Sequence, residues 1–314
     1  MLYTFAGQAI HSSLELTRLA VCGSPPDDSL IQVELLPVAE ALPQLQDWHH
    51  QWRDGAGHVA LSMSRSGTDF RLRFPAVCDV LIDHERRLIR LTPHTETTTE
   101  LLQHLLVDQV LPRVLAQSGS LLVHAGAVRI GDRCVLFIGK SGWGKSTLTA
   151  LLVRAGHAAL SDDCVMLRTV GSRLFSTPSY PSLRLLPDSL ANVFPAVAES
   201  AQVRTLPGKL PLPIAALEDS EDGQRVDAIY LLNDPTDATD VHAISAHPPG
   251  ASCIALFRHA FQLDVTDHER TRALFSQCCD AVRAAPTFVL NYPRDFAQTR
   301  VLVDLITQHL DTLR

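Results

Sequence analysis

The sequence has no C-x-x-C pair, no basic block, no internal repeat and no hydrophobic run approaching a membrane span. Each absence excludes a class of protein. The seven cysteines are scattered and odd in number, with Cys278 and Cys279 adjacent, so neither a zinc site nor a disulfide framework is expected and a reducing compartment is. Without about 20 consecutive apolar residues, no membrane-spanning helix is expected. A formal charge of -7 with no basic block to offset it argues against nucleic acid or an anionic membrane surface as partner. The opening residues lack a basic segment followed by an apolar core, which predicts a cytoplasmic protein. What the chain does have is a globular composition, 46% hydrophobic and 19% charged over 314 residues. That is enough for one large domain or two ordinary ones.

One stretch organises the rest. Val135, Leu136, Phe137 and Ile138 form a predicted strand that runs into Gly139-Lys140-Ser141-Gly142-Trp143-Gly144-Lys145-Ser146-Thr147. Residues 148 to 154 then read as helix. This is G-x-x-x-x-G-K-[ST] in the strand–loop–helix setting that gives the pattern meaning. The glycines allow positive φ and close backbone approach, so successive amides can face phosphate oxygens. The following helix brings its positive dipole end beneath them. Lys145 is placed to reach the β and γ oxygens of ATP, and the Ser146 hydroxyl to ligate Mg²⁺.

Residues 1 to 100 read as a β-rich N-terminal region, with short strands at 2–10, 31–36, 58–63, 69–74, 78–82 and 87–91. His49, His50 and Trp52 invite a metal or stacking reading. Adjacent histidines face opposite ways, however, and no carboxylate stands at ligand spacing, so these are expected surface residues. Beyond Glu100, Leu101, Leu102, Leu105, Leu106 and Val110 recur at helical spacing, and the helix is predicted to end near Pro112 or Gly119. A buried strand at 121–128 contains His124. Gly131-Asp132 is a hairpin turn, and Gly156 closes the helix after the glycine loop.

Residues 158–161 read as a buried strand that ends in Asp162 and Asp163. Ligands of open α/β sheets lie outside the carboxyl ends of strands, so these carboxylates are expected to face the nucleotide. One could hold Mg²⁺ and the other accept a proton from an attacking hydroxyl. Residues 171–226 are proline-punctuated, carry an acidic run at 218–222, and are expected to be irregular, as a loop over a site or a docking surface is. Arg184 and Lys209 are the cations of interest there, although each weighs more heavily as surface charge. Strands at 228–232, 241–245 and 287–290 and helices at 251–259, 267–284 and 295–310 complete the chain.

The order His124-Ala-Gly-Ala-Val, then Gly139 to Ser146, then Arg-Ala-Gly156-His157, then Ser-Asp162-Asp163 resembles the catalytic domain of HPr kinase/phosphorylase. It resembles still more the shorter HPr-kinase-like serine kinases, including those of lasso-peptide clusters. The specific motifs cover residues 120 to 170, and Tyr180-Pro181-Ser-Leu-Arg-Leu extends a looser similarity. The resemblance implies an α/β fold of the α+β kind, with a mixed sheet and a P-loop core akin to phosphoenolpyruvate carboxykinase over residues 101–314. It implies ATP- and Mg²⁺-dependent phosphorylation of a serine hydroxyl on a protein or peptide. Asp162 would be the base and Asp163 a metal-side carboxylate, or the two exchanged, with His124 beside them. Relatives commonly form rings of six or smaller oligomers, so a homo-oligomer is open to this chain.

The sequence also departs from those enzymes. Lys140 and Thr147 stand where they usually carry acidic residues, Trp143 is bulky for its place, and no Glu-x-Arg-Gly follows downstream. Two alternatives therefore stand beside the kinase: an ATP-binding regulatory or assembly module with weak or lost transfer, and a kinase of a free small hydroxyl compound such as serine.

Overall fold

The computed structural model describes residues 1–23, 30–38, 47–95, 97–180, 182–199, 210–213, 223–237 and 240–313. Lys209 and the acidic run at 218–222 lie outside them. The chain divides into two compact units, residues 1–119 with 261–272, and residues 120–260 with 273–314.

The first unit is built on a nine-stranded sheet. From edge to edge its strands are Ala20–Val21, Leu2–Phe5, Gln8–Ser12, Ile31–Leu35, Leu88–Pro93, Cys78–Asp83, Asp69–Phe74, Val59–Ser66 and His50–Arg53. The six predicted strand regions all fall in this sheet, but the first is two strands. Ala6 and Gly7 adopt φ of 48° and 76°, which makes a two-residue hairpin turn between Phe5 and Gln8. Ala20–Val21 and His50–Arg53 are too short or too polar to announce themselves as strands. Gln8–Ser12, Ile31–Leu35 and Leu88–Pro93 run parallel, and the other neighbours antiparallel.

The helix capped by Thr98 continues past Pro112. It runs Thr99–Leu105, widens to a π turn at Leu106–Val110, and resumes over Leu111–Gln117. Proline has no N–H to give a carbonyl one turn back, and the wide turn just ahead of it, where Leu111 N–H bonds Leu106 O, lets the helix absorb that loss. Residues 261–272 join this unit through Asp264, 2.9 Å from Arg65, and Phe261, under the Arg113 guanidinium. Two further buried carboxylates hold cations here. Asp79 pairs with Arg73 at 2.7 Å, and Asp108 with Arg18 at 2.9 Å and with His104.

The second unit has a second nine-stranded sheet, of mixed direction. Arg133–Ile138 lies at its centre, antiparallel to Ala125–Ile130 and parallel to Gln224–Leu232, which is itself parallel to Thr287–Asn291. Val135, Leu136 and Phe137 are fully buried because helices cover both faces. On one face Leu148 and Leu152 of Lys145–Arg154 and Leu302, Ile306 and Leu310 of Thr299–Thr312 meet Val135, Phe137 and Tyr230. On the other, Cys253, Leu256, Leu274 and Cys278 of Pro249–Arg258 and His268–Ala284 meet Leu136, Ile138 and Leu167. The result is a mixed α/β architecture.

Three expectations need correction. The strand expected at 121–128 breaks at His124. Leu121–Val123 pairs with Val165–Val170, whereas Ala125–Ile130 pairs with Arg133–Ile138 and Ala158–Ser161. The described residues of the stretch 171–226 are more regular than their prolines suggest. Arg173–Pro178, Ser182–Leu185 and Leu210–Pro213 are strands and Pro187–Val193 and Pro195–Ala198 helices, with prolines at helix starts, where the missing N–H costs nothing. Finally, Cys253 and Cys279 form a disulfide, with Cα atoms 5.0 Å apart. Helix packing joins these two residues across 26 positions, so spacing alone gave no sign of them. Among the described residues no helix is long and apolar enough to cross a membrane.

Candidate functional site

Arg133–Ile138 ends at Gly139, and the chain turns through Gly142 and Gly144, at φ of 84° and 91°, into the helix Lys145–Arg154. Gly144 is the N-cap and has no side chain to cap the helix, so the first-turn amides have no side-chain acceptor from that residue. An ideal Cβ on Gly144 would sit 3.2 Å from the Tyr292 hydroxyl, so close packing as well as positive φ favours glycine. The helix closes with a Schellman arrangement: Gly156 N–H bonds Val153 O and His157 N–H bonds Leu152 O, with Gly156 at φ 95°. It also lies directly on its neighbour strand, because a Cβ on Gly126 would fall 2.8 Å from Thr149 Oγ1.

Two of the chain's three lysines belong to this loop. Lys145 is buried and its Nζ donates to the carbonyls of Gly139, at 2.7 Å, and Lys140, at 3.1 Å. Lys140 Nζ lies 5.3 Å from the centre of the Trp143 ring. Trp143 turns its ring inward, against Gly139 and the apolar cluster of Phe137 and Tyr230. Ser146 is buried at the first turn, and the Thr147 hydroxyl is 2.9 Å from that of Ser189.

Strand register brings the predicted carboxylates to the same end of the sheet. Ala125 stands opposite Ile138, and Ala127 opposite Ser161, so Asp162 and Asp163 follow beside the start of the glycine loop. Asp162 is 1% exposed, and its Oδ2 accepts the backbone N–H of Arg184 at 3.0 Å. Asp163 Oδ2 lies 3.9 Å from Arg184 Nη1. His124 occupies the break between two strands. Its backbone N–H donates to His259 O at 2.8 Å, and its Nδ1 meets the carbonyl, not the carboxylate, of Asp163 at 2.8 Å. A carbonyl accepts only, so Nδ1 carries a proton in this contact.

Several residues reach the loop that the sequence did not single out, or discounted. Arg184 is discounted as surface charge, yet Ser182–Leu185 sets it against both carboxylates. Arg294 follows the strand Thr287–Asn291 and ties three strand ends together. Its Nη1 donates to Asn233 Oδ1 at 2.9 Å and Tyr292 O at 2.8 Å, and its Nη2 to Asn233 O at 2.8 Å and Trp143 O at 3.2 Å. Its guanidinium lies 3.7 Å from the centre of the Tyr292 ring. The available signal was positional: Asn233 and Tyr292 stand just past two strands parallel to the loop strand. His259, whose carbonyl holds His124, has its pKa pushed down to about 4, first by burial and then by the positive charges of Lys145, Lys140 and Arg258.

The oxygen donors Ser146, Asp162 and Asp163 are of the hard kind that Mg²⁺ prefers. Among the described residues, no group of three or more His, Cys, Asp or Glu could hold a metal by itself. That set fits a Mg²⁺ shared between one or two carboxylates and phosphate oxygens better than an all-protein cage.

No family model matches the chain. Among solved structures, the HPr(Ser) kinase/phosphatase from Coxiella burnetii aligns with 61% of this chain and 97% of that one, at 14% identity and a TM-score of 0.32. Among curated proteins, the HPr kinase/phosphorylase of Mycoplasmopsis pulmonis is 34% identical over 64 residues, 20% of this chain. That match spans 21% of the relative's own length, about a fifth of it. Over those 64 residues the chain is therefore similar to an HPr kinase/phosphorylase.

Proposed function

We propose that this protein transfers the γ-phosphoryl group of ATP to a serine hydroxyl of a protein or peptide. The observation that carries the reading is the convergence of the glycine loop, Asp162, Asp163 and Arg184 at one end of one sheet. A phosphate-binding loop alone serves many ends. Two carboxylates and an arginine beside it are the parts a transfer needs.

In this reading the amides of residues 139 to 146 and the N-terminus of Lys145–Arg154 receive the phosphates. Lys145 exchanges its bonds to Gly139 O and Lys140 O for phosphate oxygens. Mg²⁺, when bound, neutralises phosphate charge, with Ser146 and Asp163 on its side of the site. Asp162 accepts the serine proton as the hydroxyl oxygen bonds to phosphorus and the bond to the β-phosphate oxygen breaks, leaving ADP. Arg184 stands where it can offset charge on the moving group. His124 Nδ1 donates to the Asp163 carbonyl. Through the Asp163 carbonyl it positions the turn that carries both carboxylates, so His124→Ala slows transfer and spares ATP binding; an unchanged rate refutes that role.

The test is incubation of the protein with γ-labelled ATP, Mg²⁺ and a cell lysate. Label on a polypeptide with the wild type, and none with Asp162→Asn or Lys145→Ala, is the expected result. ATP binding with no transfer to any polypeptide or to serine overturns the kinase and leaves an ATP-binding regulatory module. Label on free serine alone replaces the acceptor and keeps the chemistry.

A further inference from the structure

Asp162 and Asp163 stand in the turn between Ala158–Ser161 and Val165–Val170, and the next residue of that turn is Cys164. Its carbonyl accepts two hydroxyls, Ser161 Oγ and Ser179 Oγ, each at 2.7 Å. The two hydroxyl oxygens lie 3.2 Å apart, and the serines are 0% and 3% exposed. A hydroxyl has one proton to give and a carbonyl oxygen has two lone pairs, so one carbonyl can receive both. Neither serine is called for by packing. Buried hydroxyls cost free energy unless they are bonded, and Ser161 ends a strand whose other residues, Ala158, Ala159 and Leu160, are apolar.

We infer that Ser161 and Ser179 are positioning residues for the transfer, which together hold the Cys164 carbonyl and with it the direction of Asp162 and Asp163. The inference rests on reading those carboxylates as the ones that serve phosphoryl transfer. Ser161 acts from within, closing the turn across its mouth. Ser179 acts from outside, from the stretch that leads into Ser182–Leu185. That strand returns to the same turn, where the Arg184 N–H donates to Asp162 Oδ2 at 3.0 Å and Arg184 Nη1 lies 3.9 Å from Asp163 Oδ2. The turn and the arginine are therefore fastened at two places, Cys164 to Ser179 and Asp162 to Arg184. One fastening would leave a pivot; two set the distance and the angle between the carboxylates and the guanidinium. His124, on the Asp163 carbonyl, adds a third. A displacement of about 1 Å at a reacting group costs on the order of a hundredfold in rate, so such restraint matters more to transfer than to binding. Neither hydroxyl belongs to the glycine loop, so the phosphate site keeps its own geometry without them.

The experiment replaces each serine by alanine in the full chain and measures two quantities. One is the initial rate of label transfer from γ-labelled ATP to the polypeptides of a cell lysate, at saturating ATP with Mg²⁺. The other is calorimetric ATP affinity. Both are read on protein whose near-UV circular dichroism matches that of the wild type. Ser161→Ala and Ser179→Ala are each expected to slow transfer by about tenfold or more and to leave ATP affinity within about twofold. Ser179→Thr, which keeps the hydroxyl, is expected to stay within about threefold of the wild-type rate. The double alanine variant should fall short of the product of the two single losses, because both serines act on one acceptor. A merely structural role lowers the melting temperature and leaves the rate of the folded protein unmoved. That result in both variants overturns the inference, as does an equal loss of rate and ATP affinity. A folded Ser179→Thr as slow as Ser179→Ala assigns the loss to altered packing and overturns it too. If one alanine variant does not fold, the other decides. A wild type that binds ATP and transfers label to neither polypeptide nor serine overturns the kinase reading itself, and this inference with it.

Discussion

Each sheet contains three adjacent parallel strands, and the two sets end very differently. In the first unit the residues that follow Gln8–Ser12 and Ile31–Leu35 are held by the sheet itself, beside the parallel strand Leu88–Pro93. Ser13 Oγ accepts Leu35 N–H at 2.8 Å, Ser13 N–H bonds Val33 O, and Leu36 N–H bonds Leu91 O. In the second unit Arg133–Ile138, Gln224–Leu232 and Thr287–Asn291 finish in the glycine loop, in Asn233, and in the segment from Tyr292 to Arg294. There the side chain of Arg294 joins the three ends, and a helix N-terminus faces the space they enclose. Parallel strands alone do not make a ligand site. What distinguishes the second set is a glycine loop that leads straight into the N-terminus of a helix.

If the first unit serves to fold and the second to bind, breaking each should give a different signature. The largest effect is expected from Asp108→Ala. Burial raises the pKa of this carboxylate, but His104 and Arg18 outweigh it and hold the group well below its ordinary value, so its removal breaks a buried ion pair. Thermal or urea unfolding should register a loss of about 3–5 kcal/mol. ATP affinity under conditions where the protein stays folded should not move, and a parallel loss of affinity would break the comparison. Next comes Gly144→Val. Its φ of 91° and the 3.2 Å approach of the Tyr292 hydroxyl leave no room for a branched side chain. ATP affinity should fall by about a hundredfold, roughly 2.7 kcal/mol.

Much of the fold was legible in the sequence because the informative elements are local. The glycine loop, the Gly131-Asp132 hairpin, the Gly156 helix end and the turn of Asp162-Asp163 are each specified by neighbouring residues. Strand positions in the first unit followed from glycine, proline, aspartate and serine punctuation and short apolar runs. What could not be read depends on distant packing. Arg294 is 151 residues from Trp143, whose carbonyl it holds, and Arg184 meets Asp162 through a strand that itself looked like loop. The break at His124 was hidden because residues 121 to 128 are apolar on both sides of it. Only the third dimension reveals that the two halves join different strands. The disulfide had the same cause, being set by how two helices lie together.

A smaller effect links the loop to its surroundings through charge. The His259 pKa is pushed down to about 4, first by burial and then by Lys145, Lys140 and Arg258. A histidine depressed in the folded state contributes stability that is complete above its ordinary value of 6.5 and is lost as pH falls from there towards 4. His259→Gln should flatten that part of the stability profile. Triphosphate on the loop would neutralise the two lysines and raise the His259 pKa, as read by NMR titration with and without ATP. No movement on saturation would place the phosphates away from Lys140 and Lys145.

The finest test uses two glycines matched in everything but location. Gly67, in the turn between Val59–Ser66 and Asp69–Phe74, has φ 61°, and Gly142, in the loop, has φ 84°. A Cβ on either would meet nothing within 4 Å, so alanine brings no clash in either place. Both substitutions therefore carry only the backbone cost of a left-handed residue, about 1 kcal/mol in unfolding stability. Gly67→Ala should stop there, because its turn has only to reverse the chain. Gly142→Ala should lose a similar amount of stability and also weaken ATP, since relaxing φ at that residue turns a loop amide away from the phosphates. Equal ATP affinity in the two variants would mean that positive φ in the loop serves only to turn the chain, as it does in the hairpin, and the distinction between the two sheets would then rest on the helix and Lys145 alone.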